Sequence, residues 1–364
     1  MVDLVEHAQD TFIDVNLTTD VQFPIDSERD SHWDDETGTH FEGLIVKSLR
    51  PGEMLALVET IKSDTCTLHT LSLDHNGVGD DGARALAEAL RSDTCTLHTL
   101  YLAGNEVGAD GARAFAEALR SDTCTLHTLQ LYNNRVSADG ARALAEALQC
   151  DTCTLHTLDL HYNRVSALRS DTCTLHTLYL AGNEVGADGA RAFAEALQCD
   201  SCALHTLDLA RNEVGDDGAR ALAEALQCDT CTLHTLDLAG IEVSDDGLRA
   251  FAEALRSDTC TLHTMDLNDS EVGDDGARAL AEALRSDTCT LHTLNLDYNG
   301  VGDDGARVLD EAQALCRTRR RCRHHGLLRA IVRLAILHKR ACEAVFHPKR
   351  LRREGVFDAW AHEG

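Results

Sequence analysis

Proline is nearly missing from this chain of 364 residues: it occurs three times, at positions 24, 51 and 348. The interior therefore runs without the residue that most often breaks a helix or removes a ladder hydrogen bond. Aromatic residues are scarce as well, at 4% against 43% hydrophobic overall, so any core is built from Leu, Ala and Val. No apolar run approaches the ~18 residues of a membrane-spanning helix, and the opening MVDLVEHAQDTF holds neither the basic nor the apolar segment of a secretory signal. Cysteine, at 15 residues, is too sparse for a disulfide scaffold and odd in number. These absences predict a reducing compartment, the cytoplasm first and the nucleus as its alternative.

Positive charge is also short over most of the chain. Residues 1–316 carry 20 Lys and Arg against 57 Asp and Glu, whereas residues 317–364 carry 13 against 4. The acidic majority argues against nucleic acid as a partner of that part. The basic end reads as an appended segment with its own role.

What the chain has is repetition. DTCTLHTL, or a close variant, recurs with its Cys at 66, 95, 124, 153, 173, 202, 231, 260 and 289, a spacing of 29 residues broken once by 20. Residues 64–316 therefore divide into nine units, the unit at 153–172 being short, and residues 95–119 and 173–197 are identical. In each unit Leu68-His69-Thr70-Leu71-Ser72-Leu73 alternates as a strand does. The following Asp80-Asp81-Gly82-Ala83-Arg84-Ala85-Leu86 is Ala-rich, with Leu86 and Leu90 four apart, and predicts an amphipathic helix capped by Asp80 or Asp81. Neither piece buries its apolar side alone; stacking does, giving a parallel sheet on one face and helices on the other.

The pattern L-x-x-L-x-L-x-x-N-x-V, followed by G-x-x-G and a helix, resembles a leucine-rich repeat of the ribonuclease-inhibitor subtype, which often has a Cys before the strand, as at Cys66. That resemblance implies an α/β solenoid, curved, with the sheet concave and the helices convex. It is shared by ribonuclease inhibitor, immune receptors and the Ran GTPase-activating protein. Residues 1–39 read as an acidic, partly disordered segment, 40–63 as an N-terminal cap or worn repeat, and 317–364 as a basic cap or tail. For residues 317–346, contact with a membrane or a calmodulin-like protein is the alternative.

Motifs for chemistry are weak. The pairs Cys150/Cys153, Cys199/Cys202 and Cys228/Cys231 have zinc-like spacing, but the second Cys is the apolar repeat position and the first replaces a Ser. The nine histidines from His69 to His292 read as a surface ribbon about 4.8 Å apart, resisting joint protonation. No phosphate-binding GxxxxGK[ST] loop and no nucleophile–His–acid set stands out. The expectation is no catalytic, cofactor or metal residue.

The units differ most in and after the strand. Tyr101, Tyr132, Tyr162, Tyr179 and Tyr298, all the tyrosines of the chain, fall there, with Asp159, Asp208, Asp237, Asp266 and Arg211. These predict an acidic, tyrosine-bearing concave face that binds a protein with a basic surface, as a non-catalytic scaffold or inhibitor. The alternatives are a GTPase activator resembling the Ran activator and a degenerate immune-receptor fragment. Adjacent units suggest two aromatic pairs, Tyr101 with Tyr132 and Tyr162 with Tyr179. The short unit is expected to keep its strand, lack a regular helix and leave an outer groove. Asn76, Asn105, Asn134, Asn163, Asn183, Asn212 and Asn299 are expected to turn inward, with Ile241 and Ser270 as the weak point of that ladder.

Overall fold

Apolar side chains alternate only across two or three residues per unit, so the strands are short and the sheet grows by stacking. In the computed structural model, residues 44–49, 53–166 and 175–315 are described. The chain forms two compact units, Met1–Ala306 and Arg307–Gly364. In the first, ten strands pair in parallel in strict chain order. They are β1 (Leu44–Ile45), β2 (Thr70–Ser72), β3 (Thr99–Tyr101), β4 (Thr128–Gln130), β5 (Thr157–Asp159), β6 (Thr177–Tyr179), β7 (Thr206–Asp208), β8 (Thr235–Asp237), β9 (Thr264–Asp266) and β10 (Thr293–Asn295). Helices return the chain between most of them: α1 (Glu53–Ile61), α2 (Gly79–Leu90), α3 (Ala109–Leu119), α4 (Ser137–Leu148), α5 (Ala187–Leu197), α6 (Gly215–Ala225), α7 (Asp245–Ala254) and α8 (Asp274–Leu284). This is the expected α/β solenoid of the leucine-rich repeat type.

The core lies between the layers. In the first unit Leu71 and Leu73 from the strand meet Ala83, Leu86 and Leu90 from the helix, all buried, and Phe115 and Phe251 fill the same layer elsewhere. The short unit keeps its register: Leu158 of β5 pairs with Leu129 before it and Leu178 after it. Residues 161–166 form a turn and irregular backbone. The rest of the expected helix-free stretch, with its outer groove, falls on 167–174, outside the described residues, as do residues 1–39 and 317–364.

Helix capping departs from expectation. Asp80 accepts no bond from its own helix. Its Oδ1 instead accepts the N–H groups of Gly108 and Gly111, at 2.7 and 2.8 Å, at the start of the next helix. Asp245 does the same for Gly276, and Asp216 for Ser244. Stacking brings the orphan N–H groups of one helix closer to the previous unit's carboxylate than to its own. The second acid of each pair faces the following Arg on the convex surface, as Asp81 does with Arg84 at 2.7 Å. Such exposed pairs add little stability.

The asparagine ladder is present. Asn105 is buried, its Oδ1 accepts the N–H of Asn76 and Val78, and its Nδ2 donates to the carbonyls of Leu73 and Ala103. The N–H groups of Val78, Val107, Val136, Val165, Val185 and Val272 each reach the Asn Oδ1 of the next unit. Val214 and Val243 face Ile241 and Ser270 instead, and no acceptor for their N–H groups is found among the described residues. The Ser270 hydroxyl already donates to the carbonyls of Leu238 and Asn268, so it replaces the donor half of the missing amide only. Ser270→Asn is therefore expected to stabilise the array by about 1 kcal/mol per recovered bond. Ile241→Asn gives up a buried side chain and should come out near neutral. Amide exchange checks the weak point: Val214 and Val243 should exchange faster than Val107 and Val136, and equal rates would refute it.

Candidate functional site

The last residue of each strand points out of the sheet on the concave side. Where it is Asp or Asn, it first does a local job. Oδ1 of Asp159 accepts the N–H of His161, that of Asp208 the N–H of Ala210, and those of Asp237 and Asp266 the N–H groups of Ala239 and Asn268, all at 2.9–3.0 Å. These carboxylates fold the turn that ends their own strand. Some second oxygens are used too. Gln130 donates to Asp159 at 3.1 Å and Asn295 to Asp266 at 3.0 Å. Asp159 and Asp266 are consequently buried rather than free surface charges.

Between β4 and β7 the polar row gives way to rings. Tyr132 meets Tyr162 edge-on with centroids 5.6 Å apart, and His161 lies 6.3 Å from Tyr132 and 5.2 Å from Tyr179. The ring contacts thus join Tyr132 to Tyr162, with His161 linking Tyr132 and Tyr179. The reason is position within the unit. Tyr101 and Tyr179 end strands, whereas Tyr132 and Tyr162 sit two and three residues further along, over the turn. Tyr162, 40% exposed, holds a left-handed backbone and receives a hydrogen bond from Arg211 at 2.7 Å. Its ring lies on Gly182, where any Cβ would collide with it. Burial, helped by the Asp74 charge, pushes the Tyr101 hydroxyl up. Tyr298, 85% exposed, stands on the last turn, beyond β10.

Sequence reading missed His161 as the hub of this cluster, although the residue was visible among the variable turn positions. Its side chain is only 16% exposed, with Nε2 2.9 Å from Oδ2 of Asp208 and Nδ1 3.3 Å from Oδ1 of Asp159. Burial lowers its pKa, but the Asp208 hydrogen bond and the charges of Asp159, Asp208 and Asp237 outweigh this and raise it. Burial likewise raises Asp159, against the pull of His161.

The histidine ribbon is a stack. Successive rings from His69 to His292 lie 4.6–5.4 Å apart. Most planes are near parallel, so neighbouring lone pairs run side by side and do not converge on one ion. Burial and the adjacent rings hold His98 and His176 below the usual histidine range. Cys153, Cys202 and Cys231 are buried and outside any disulfide, and burial pushes Cys231 up to about 11. Thiols so protonated are poor ligands and nucleophiles. Among the described residues, no group of three or more metal-binding side chains is assembled, and no helix is long and apolar enough to cross a membrane.

Solved structures similar to this chain include three of low identity. The leiomodin-1 actin-binding site 2 is 18% identical, covering 43% of this chain and 88% of that one, with a TM-score of 0.36. An internalin from Listeria monocytogenes is 16% identical over 66% of this chain and 58% of that one, at 0.41. A complex of TLR13 with ssRNA13 is 17% identical over 68% and 34%, at 0.40. The chain thus spans less than two thirds of the last two. No curated protein matches it. The leucine-rich repeat profile matches residues 65–87, 94–116, 123–145, 172–194, 200–223, 230–252, 259–281 and 288–309, passing over the short unit. With half of its length matched and its strands stacked in chain order, the chain belongs to the leucine-rich repeat family.

Proposed function

We propose that this repeat array is a non-catalytic protein-binding scaffold of the ribonuclease-inhibitor subtype, which takes a basic protein on its concave face. The carrying observation is the cluster of Tyr132, His161, Tyr162 and Tyr179 on one stretch of that face, beside Asp208 and Asp237. Rigid aromatic rings give large contact area at low entropic cost, and neighbouring carboxylates steer a cationic partner toward them. An inhibitor of a basic enzyme is one concrete form of such a scaffold.

The cluster makes unequal demands on the five tyrosines. Tyr162→Ala should weaken a concave-face complex roughly 30-fold, the effect of losing one aromatic anchor. Tyr298→Ala should change it little, because Tyr298 stands apart from the others. Partners retained from cell extract by the native protein can be quantified against the Tyr132→Ala/Tyr162→Ala/Tyr179→Ala variant and against Tyr298→Ala. If the triple variant retains the same proteins in the same amounts, the concave-face reading is wrong.

A further inference from the structure

A neutral imidazole has one N–H, yet both ring nitrogens of His161 face carboxylate oxygens. With a single ring proton, a bare lone pair would press against either Asp159 or Asp208. The trio is satisfied when it holds one proton more than a neutral ring between two carboxylates. The other acceptor sites are largely taken. Oδ1 of Asp159 also receives the N–H of His161, its Oδ2 receives Gln130, and Oδ1 of Asp208 receives the N–H of Ala210. Oδ2 of Asp208 faces the ring of His161.

The position of this trio gives the proton a consequence. His161 follows β5 and Asp208 ends β7, so the contact spans β6 and lies over the ring of Tyr179. A second strut runs parallel to it, from Arg211 after β7 to Tyr162 after β5. Both cross the place where the short unit interrupts the 29-residue spacing. The groups facing His161 are Asp159 from β5, Tyr132 from the turn after β4, Tyr179 from β6, Asp208 from β7 and Asp237 from β8.

We propose that the proton shared by His161, Asp159 and Asp208 is a switch on the concave site, resting on the reading of that face as the binding surface. With the proton in place, His161 ties the turn after β5 to β7 and cancels one of the two carboxylates. Without it, one tie is lost and the aromatic cluster gains a full negative charge, which favours a cationic partner. Binding therefore strengthens as pH rises through the titration of His161. That titration stands apart from the ribbon: the carboxylates raise His161, whereas burial and neighbouring rings lower His98 and His176.

The test combines a histidine NMR titration of the full chain with binding of an octalysine peptide between pH 6.5 and 9 at fixed ionic strength. His161 should titrate above His98 and His176. The octalysine Kd should fall roughly 3–10-fold along the same curve, the effect of one added charge near the site. His161→Gln should bind with no such step. Asp208→Asn, which keeps the ring and removes its closest carboxylate, should bring the His161 midpoint down. A His161 midpoint at or below those of His98 and His176, or an unchanged pH step in His161→Gln, overturns the switch whatever the peptide does. A raised midpoint with octalysine leaving the Tyr132, Tyr162 and Tyr179 signals unmoved at every pH overturns the concave-face reading, and the regulatory step with it.

Discussion

Asn105→Ala is expected to lower the stability of the array by about 3 kcal/mol, more than most surface or helix substitutions in it. The amide of Asn105 is completely buried and makes four bonds, two as acceptor to Asn76 and Val78 and two as donor to Leu73 and Ala103. Truncation leaves the N–H groups of Asn76 and Val78 and the carbonyl of Leu73 without this partner, while the Ala103 carbonyl keeps the N–H of His75, and an unsatisfied buried group costs more than a made bond contributes. The bonds of Asn105 reach only adjacent units, so the damage should be local first, with faster amide exchange in residues 73–107 and little change beyond β6. Urea unfolding of native and variant protein measures the total. A variant within 0.5 kcal/mol of native (on the order of a neutral surface change) would show that the ladder is not what closes these turns.

The fold was legible because its signals repeat in the side chains themselves. Leu71 and Leu73 alternate as a strand, and the Asn at 76 returns at the same place in most units. What the sequence could not show was which unit a polar side chain serves. Asp80 reads as a cap for its own helix, yet it caps the next one. The two threonines of DTCTL carry no visible role within a single unit. In the structure the hydroxyl of Thr94 donates to the carbonyl of Lys62 at 2.6 Å and that of Thr96 to Leu68 at 2.9 Å, stitching each unit to the one before. Contacts of this kind span 28–32 residues and follow from the stacking offset, which no single unit carries.

The candidate site was legible as a set of positions and illegible as a geometry. Variation in and after the strands pointed to Tyr132, Tyr162 and Tyr179, but not to the edge-on contact of Tyr132 with Tyr162. Asp159 and Asp266 read as exposed charge and are buried turn-formers. His161 looked like one variable turn residue among several. Its importance comes from reaching over a strand to Asp208, 47 residues later, a contact that strand stacking sets and chain order hides.

The histidine stack leads to the other large effect, a loss of stability on mild acidification. A histidine whose folded pKa lies below its unfolded value of about 6.5 binds fewer protons when folded, so stability falls as pH drops below that value. His98 and His176 have this sign, with burial as the first cause and the flanking rings as the second. Like charges facing each other on neighbouring strands are destabilising, and protonating His98 or His176 sets a cation between two flanking rings. Other titrating groups act elsewhere or oppositely. His161 is raised, so its contribution is fully present below about pH 6.5 and is lost as pH rises through its folded midpoint. Asp74 and Asp159 are raised, mainly by burial, and favour the folded state on acidification. Asp216 is lowered, chiefly by its Ser244 hydrogen bond, and its contribution fades only toward the carboxylate range near pH 4. Between pH 7.5 and 5.5 His98 and His176 should therefore dominate. Replacing alternate histidines by glutamine, at His98, His156, His205 and His263, separates every remaining imidazole from the next. That variant should keep most of its pH 7.5 thermal midpoint at pH 5.5 while the native protein loses several degrees. If both fall equally, the acid sensitivity belongs to the carboxylates and not to the stack.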